Sequence, residues 1–372
     1  MNKLIFANLL HRPLRSVISV LAVAIEVIMI LSIVAIFMGI LNSTKERTNG
    51  IGADLMLMPS NASIFNGVGG ASLPVKFAEV LRRMPHVAVV SPAIQKLSTT
   101  GSVEIMWGID YPSFAALRPF TFLAGGPFTG PYDVIVDNVF AGSPNPETGK
   151  PYQVGDTVSI LDHSFRICGI VEQGKGGRKL IPLDTMEQLT GAEGMASLFY
   201  IKCDSPADDD LVMREIFSTR GFQNDKLMTV DSLLDQMTPN KIPGFNIALR
   251  IVTGIAVVIG FLVIFQSMYT AVLERTREIG ILKSMGASKP TIVGAVLREC
   301  ALLAAAGDIV GVAATYGVRF LMLHFFPTQS FQITGLWIAY GAVIAFVGSL
   351  CGALYPAWMA ARKDPIDALA YE

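Results

Sequence analysis

Four apolar runs dominate the chain, at 16–41, 247–273, 291–323 and 336–358. Each is long enough to cross a hydrocarbon core, which needs ~20 residues. Only 16% of the residues are charged, whereas 52% are apolar; soluble domains carry about a quarter charged. The expected fold class is therefore four transmembrane α-helices plus whatever the polar stretch 42–246 makes, with membrane lipids as the surroundings. The formal net charge is -1, so there is no basic field to attract nucleic acid, and that partner class is excluded.

The first run contains Ser19, Glu26, Ser32 and Gly39 and ends in Asn42-Ser43-Thr44-Lys45-Glu46-Arg47. A cleaved signal peptide would have an apolar region of ~7–15 residues closing on a small-residue site. This run is longer and ends in charges, so it predicts an uncleaved span. Before it, Leu4, Ile5, Leu9 and Leu10 recur at helical spacing between Lys3 and Arg12, which predicts an interfacial helix over 1–15. The third run would be ~50 Å long at ~1.5 Å per residue, more than a ~30 Å core. It must tilt, protrude or break; Gly307-Asp308 is the expected break, with Arg298-Glu299 near the headgroups. The fourth run has Trp337 and Tyr340 at one end and Tyr355 and Trp358 at the other, as aromatic belts require.

Short loops set the orientation. The loop 274–290 holds Arg275, Arg277, Lys283 and Lys289, whereas the loop 324–335 holds neither lysine nor arginine. The first is expected in the cytoplasm and the second outside. Lys3, Arg12 and Arg15 before the first span, and Arg362 and Lys363 in the tail 359–372, place both termini in the cytoplasm. The stretch 42–246 is then extracytoplasmic, inserted between helices 1 and 2.

Within that stretch, strand-like runs at 53–58, 103–107, 132–136, 157–161 and 165–171 mix with helical candidates at 74–84 and 208–220, giving an α+β expectation. Asp162-His163-Ser164 is the expected hairpin turn, and the glycine- and proline-rich stretches 66–70, 125–131 and 142–151 are expected loops. Cys168 and Cys203 are expected as two buried thiols rather than a disulfide, and no CxxC or Cys/His cluster supports a metal. No GxSxG, HExxH or paired-carboxylate pattern is present. Gly149-Lys150 fails as a phosphate loop because Pro144 and Pro151 stand where that loop needs glycine and Ser/Thr, and Gly174-Lys175-Gly176-Gly177 has the wrong spacing. The chain is expected to be no enzyme and to bind no cofactor itself.

The loop Glu274-Arg275-Thr276-Arg277-Glu278-Ile279-Gly280-Ile281-Leu282-Lys283-Ser284-Met285-Gly286 reads as a short amphipathic helix. Glu274 and Arg277 can pair, Ile279, Leu282 and Met285 recur on one face, and Gly286 suits the end. Amphipathicity alone leaves two readings, a helix flat on lipid headgroups or one docked to a cytoplasmic partner. Together with the tail Tyr355-Pro356-Ala357-Trp358-Met359-Ala360-Ala361-Arg362-Lys363-Asp364-Pro365-Ile366-Asp367-Ala368-Leu369, this run resembles the permease part of the MacB/FtsX-type ABC transporter family. Val154-Gly155-Asp156-Thr157 and 165–171 are similar to the family's periplasmic core domain, and the order of one span, a large outside domain and three spans matches across nearly the whole chain.

The resemblance implies a bacterial inner-membrane permease, a homodimer, driven by a dimeric cytoplasmic ABC ATPase that holds ATP and Mg on a separate chain; some relatives carry that ATPase in the same polypeptide. It implies that Glu274, Arg275, Arg277, Glu278, Ile279, Gly280, Leu282, Lys283, Met285 and Gly286 couple to that ATPase. Helix motion would be passed to the outside domain by mechanotransmission, for efflux of a hydrophobic or amphipathic substrate with a periplasmic adaptor and outer-membrane channel. The alternatives are a non-transporting relay that activates a cell-wall hydrolase, and extraction of lipoproteins or lipids. Glu26 sits mid-span, where charge is costly. It is expected either in a substrate path between the two subunits' first spans, with Met29 and Ile30 on its face, or at a helix interface; Asp308 is a second substrate-path candidate or a helix cap.

Overall fold

The structure is a computed structural model and describes residues 13–60, 62, 73–98, 104–238, 241 and 244–363. The expected interfacial segment up to residue 12, the glycine-rich stretch 66–70 and the tail from 364 lie outside the described residues. The chain forms two compact units. One holds the described residues up to Gly39, those from Gly244 to Phe325 and those from Gln329 on; the other holds the residues between, together with Phe326–Thr328.

Helix α1 (Pro13–Asn49) opens the chain. Pro13 suits a first turn because its missing N–H is one that a helix start leaves unbonded anyway. Residues 13–15, expected in the interfacial segment, are thus the first turn of the span. The second unit then follows as α+β structure: β1 (Leu55–Met58), β2 (Leu73–Pro74), α2 (Phe77–Arg82), β3 (Val87–Ser98), β4 (Glu104–Ile109), α3 (Tyr111–Leu117), β5 (Phe122–Gly125), β6 (Asp133–Asp137), α4 (Asn138–Ala141), β7 (Thr157–Ile160) and β8 (His163–Val171). Next come β9 (Lys179–Pro182), α5 (Leu183–Thr190), β10 (Met195–Ala196), β11 (Leu198–Cys203), α6 (Asp209–Ser218), β12 (Lys226–Thr229) and α7 (Val230–Gln236).

Among the described residues, ten strands form one mixed sheet in the order β12-β1-β11-β3-β4-β9-β6-β8-β5, with β7 also on β8; of these pairs only β4 with β9 and β6 with β8 run parallel. The central strands are buried on both faces. Leu55 and Leu57 of β1 join one core with Leu81, Val212 and Phe222, while Met56 and Met58 join the other with Trp107, Phe114 and Tyr200. Alternation along the strand sends neighbours to opposite faces, which is why the continuous apolar run 55–58 makes a strand here rather than a buried helix. The hairpin turn is tighter than expected: Ile160 faces His163 across the pair, so the turn is Leu161-Asp162, both in the left-handed region (φ 49 and 65). A two-residue turn of that kind matches the twist of the strands it joins. The helix expected over 74–84 is shorter because Leu73 and Pro74 are taken into a ladder with β10.

The first unit holds most of α1 together with α8 (Phe245–Glu274), α9 (Thr276–Ser284), α10 (Lys289–Phe325) and α11 (Gly335–Arg362). Val23, Val27 and Leu31 of α1 share a core with Ile264 and Met268 of α8, Cys300 and Leu303 of α10, and Ala345 and Ala353 of α11. The helices approach closely at glycines. A Cβ on Gly307 would lie 2.5 Å from Val23 Cβ, and one on Gly311 2.8 Å from Val27 Cβ and 2.9 Å from the Ala24 carbonyl oxygen. This corrects the expected break at Gly307-Asp308: α10 runs through it unbroken for 37 residues, and Gly307 serves as a notch for α1. The surplus length of the helix is accommodated without a break. Changing Gly307 or Gly311 to alanine is expected to cost about 1–3 kcal/mol each, measured by thermal unfolding of the full chain in lipid nanodiscs; an unchanged midpoint would refute the notch.

Candidate functional site

Helix α9 is set off from α8 by a single non-helical residue, Arg275 (φ -111, ψ 19). The expected helix from 274 therefore begins two residues later, and Glu274 is the last residue of α8. Its C-terminal end is a glycine stop: Gly286 has φ 93, its N–H donates to the Lys283 carbonyl at 2.9 Å, and the Ala287 N–H donates to the Leu282 carbonyl at 3.0 Å. That paired bonding satisfies the last carbonyls and fixes where the helix ends.

The face assignment is also corrected. Ile279, 9% exposed, packs inward with Val272, Ile292, Ala360 and Ala361, beside buried Thr276 and Gly280. Leu282 and Met285, expected beside it, are 41% and 71% exposed, and Ile281 is exposed too. One side of this short helix is consumed by the chain's own packing, so the outward strip includes Arg277, Glu278, Ile281, Leu282 and, just past its end, Met285. Lys283 belongs to neither face: its ammonium donates to the carbonyls of Ala361 at 2.9 Å and of Lys363, capping the end of α11.

A buried ion cluster anchors the base of α9. The Glu299 carboxylate of α10 accepts from Arg275 Nη1 at 2.9 Å and Arg15 Nη2 at 3.2 Å, and Arg15 Nη1 also meets Glu274 Oε2 at 3.5 Å. All of Arg15, Glu299 and Arg275 are largely buried. The sequence placed Arg15 and Glu299 at membrane ends but not together; charged residues bordering two separate apolar runs were the available signal.

Glu26, Met29, Ile30 and Asp308 are placed by the packing of this chain's own helices. Glu26 is 3% exposed and faces its own chain: a Cβ on Gly260 of α8 would collide with its Oε2, and Gly348 of α11 lies alongside. Neither carboxylate oxygen has a hydrogen-bond partner. Ile30 is buried, and Met29 and Asp308 of α10 are half-buried. The glycines that admit the side chain are what placed it at a helix interface.

Among the described residues one group has metal-ligand geometry: one ligand atom each of Asp54, Cys203 and Asp209 lies within 4.8 Å of the others. Burial and the neighbouring aspartates push the Cys203 thiol up to about 12, and the Cys203 N–H donates to Asp54 Oδ2 at 2.8 Å. A thiol held protonated beside carboxylates serves as a hydrogen-bond donor. Cys168 and Cys203 are both free and buried.

Two family models match the chain, a MacB-like periplasmic core domain over residues 16–217 and an FtsX-like permease C-terminal module over residues 250–365. Among curated proteins it is similar to a macrolide export ATP-binding/permease protein, MacB, of Nitrobacter winogradskyi, 26% identical over 98% of this chain and 59% of that one. The protein of the same description from Wolinella succinogenes is 25% identical over 100% and 60%. An uncharacterized ABC transporter permease of Methanocaldococcus jannaschii is 24% identical over 60% and 59%. The chain thus spans about 60% of the length of these relatives. Of solved structures, the periplasmic region of MacB from Actinobacillus actinomycetemcomitans is 15% identical with a TM-score of 0.39, covering 51% of this chain and 94% of that one. The extracellular domain of the noncanonic ABC-type transporter YknZ from Gram-positive bacteria is 16% identical with a TM-score of 0.36, covering 47% and 98%.

Proposed function

The chain belongs to the MacB-like ABC transporter permease family, a MacB-like periplasmic core domain joined to an FtsX-like permease module, and from that premise we propose that it exports a hydrophobic or amphipathic compound at the expense of ATP hydrolysed by an ABC ATPase. The observation that carries this is the outward strip of α9. Three large apolar side chains, Ile281, Leu282 and Met285, stand beside Arg277 and Glu278 on a helix whose other side and base are already locked. An amphipathic helix with its apolar face outward fits a hydrophobic groove read at i, i+1 and i+4, and rigid anchoring lets force at the strip reach α8 and α10 rather than being lost in the loop.

In this reading the ATPase holds ATP and Mg and docks on α9. The side bearing Arg275, Arg277, Lys283 and Lys289 is cytoplasmic, both termini lie there, and the membrane is the bacterial inner membrane. The permease works as a homodimer, with a periplasmic adaptor and an outer-membrane channel completing the route. The export name of the relatives supports the direction of transport; signal relay and lipoprotein extraction are the competing outcomes.

The test is reconstitution with the cognate ATPase in nanodiscs. Changing Glu278 and Leu282 together to alanine is expected to lower permease-stimulated hydrolysis about a hundredfold, since truncating two central contacts of a small interface costs about 2–3 kcal/mol. Undiminished hydrolysis would remove α9 as the docking element.

A further inference from the structure

Between β8 and β9 the chain runs Gly174-Lys175-Gly176-Gly177-Arg178, a segment with no phosphate-loop spacing that nonetheless makes contacts in three directions. Toward the end of α1, the Gly176 N–H donates to the Arg47 carbonyl at 3.1 Å and Lys175 Nζ donates to the Gly50 carbonyl at 3.1 Å. The same ammonium donates to the Arg118 carbonyl at 2.7 Å and sits 5.1 Å from the centre of the Phe120 ring. Gly50 and Gly174 meet backbone to backbone: a Cβ on Gly50 would lie 2.0 Å from the Gly174 carbonyl oxygen. Toward the sheet, Gly176 and Gly177 lie on the Trp107 indole, each leaving no room for a Cβ, and Trp107 stacks on Tyr200 of β11 at 5.9 Å between centroids. Toward the turn between α10 and α11, Arg178 Nη2 donates to the Thr328 carbonyl at 2.8 Å while its Nη1 meets Asp137 Oδ2 at 3.1 Å.

We infer that residues 174–178 form a transmission clamp that grips the end of α1 and the α10–α11 turn and passes their displacement into the middle of the sheet. A segment that merely joined β8 to β9 would be satisfied by solvent. Here a buried ammonium is spent on two main-chain carbonyls, and glycines stand where the segment meets α1 and where it meets the indole. The next residues, Lys179 to Pro182, are β9 itself, paired with both β4 and β6, so a pull on the clamp enters the sheet without an intervening loop. Strands β4 and β9 are tied through Trp107 and Leu180, which are register partners. The clamp's role in coupling rests on the transport reading above, whereas its grip does not.

Hydrogen exchange with mass spectrometry on the full chain in nanodiscs tests the grip without any nucleotide. Gly50→Ala drives a methyl group into the Gly174 carbonyl and is expected to speed exchange in 46–51 and 174–178 about tenfold, leaving β11 unchanged. Should that variant fail to fold, Arg178→Met with Asp137→Asn releases Thr328 without stranding a buried carboxylate, and faster exchange in the turn around residue 328 is then the expected result. Unchanged protection at the clamp in a folded variant overturns it. With the cognate ATPase and ATP, exchange across β3 and β11 is expected to change in the wild-type chain and to lose that response in the double variant. A response of equal size in both overturns the clamp as transmitter. No response in the wild-type chain overturns the transport reading instead, and the nucleotide-free result tells the two failures apart.

Discussion

Replacing Glu299 by alanine is expected to destabilise the helical unit by about 3–5 kcal/mol, the cost of breaking a buried charge cluster and leaving its partners unpaired. Two guanidiniums, from Arg15 and Arg275, converge on this one carboxylate, and both are largely shielded from water. With Glu299 gone, Arg275 loses its bond at 2.9 Å, and Arg275 is the only residue separating α8 from α9. The damage should therefore be local as well as global: Glu299→Gln, which keeps the shape and one acceptor, is expected to fall between wild type and alanine in thermal midpoint, and both variants should blunt ATPase stimulation without touching the outward strip. Unfolding followed by tryptophan fluorescence in nanodiscs checks this. A loss under about 1 kcal/mol would mean the cluster behaves as a solvated surface pair.

Arg178→Ala is expected to cost a similar amount in the sheet unit, about 3–5 kcal/mol at about pH 7, because it strands Asp137, 3% exposed, beside the sheet. This variant carries its own control in acid. Burial holds the Asp137 carboxyl above the ordinary carboxylate range, and the Arg178 guanidinium works against that rise. Removing the guanidinium lets the carboxyl climb further. A carboxyl that binds its proton more tightly folded than unfolded gains stability as pH falls through its folded value. The penalty of Arg178→Ala should consequently shrink as the medium is taken from about pH 7 toward pH 5. Pairing it with Asp137→Asn should remove both the penalty and its pH dependence, since asparagine still accepts the helix-capping bond that Phe140 N–H now gives Asp137 Oδ1 at 2.7 Å. A penalty that stays constant with pH would show that Asp137 is not the stranded group.

Much of this fold is readable along the chain because the strongest signals are local. Apolar runs longer than a bilayer core announce α1, α8, α10 and α11, and the glycine after Met285 announces the end of α9. Where reading along the chain falls short, the deciding contact is distant. Strand β3 is hard to read because Pro92 cannot donate to a ladder and argues against a central strand; in the structure Pro92 faces Phe199 of β11, while the ladder with β4 begins only at Ala93. Gly307 beside Asp308 looks like a breaker until Val23, some 280 residues earlier in sequence, is seen to fill its notch. The inward turn of Ile279 depends on Ala360 and Ala361, and periodicity within nine residues cannot say which of two apolar edges a later helix will cover. The grip of Lys175 and Arg178 is not legible along the chain for a related reason: Lys175 and one arm of Arg178 bond to carbonyls, which every residue has.

The sheet of the second unit is buried on both sides at its central strands, and that limits how this domain can be recognised. A protein or ligand approaching it finds no open pleated surface over β1, β11 and β3, where Leu55, Leu57, Met56, Phe199 and Tyr200 are all withdrawn from solvent. What it can touch are helices, turns and the unpaired rims at β12, β5 and β7. Of these, β5 is largely exposed along its length, with Leu123 59% accessible. Selectivity toward any partner of this domain must therefore be written in rims and loops, the parts of a fold that tolerate change, while the doubly covered strands remain free to serve as the stiff plate on which those features are carried.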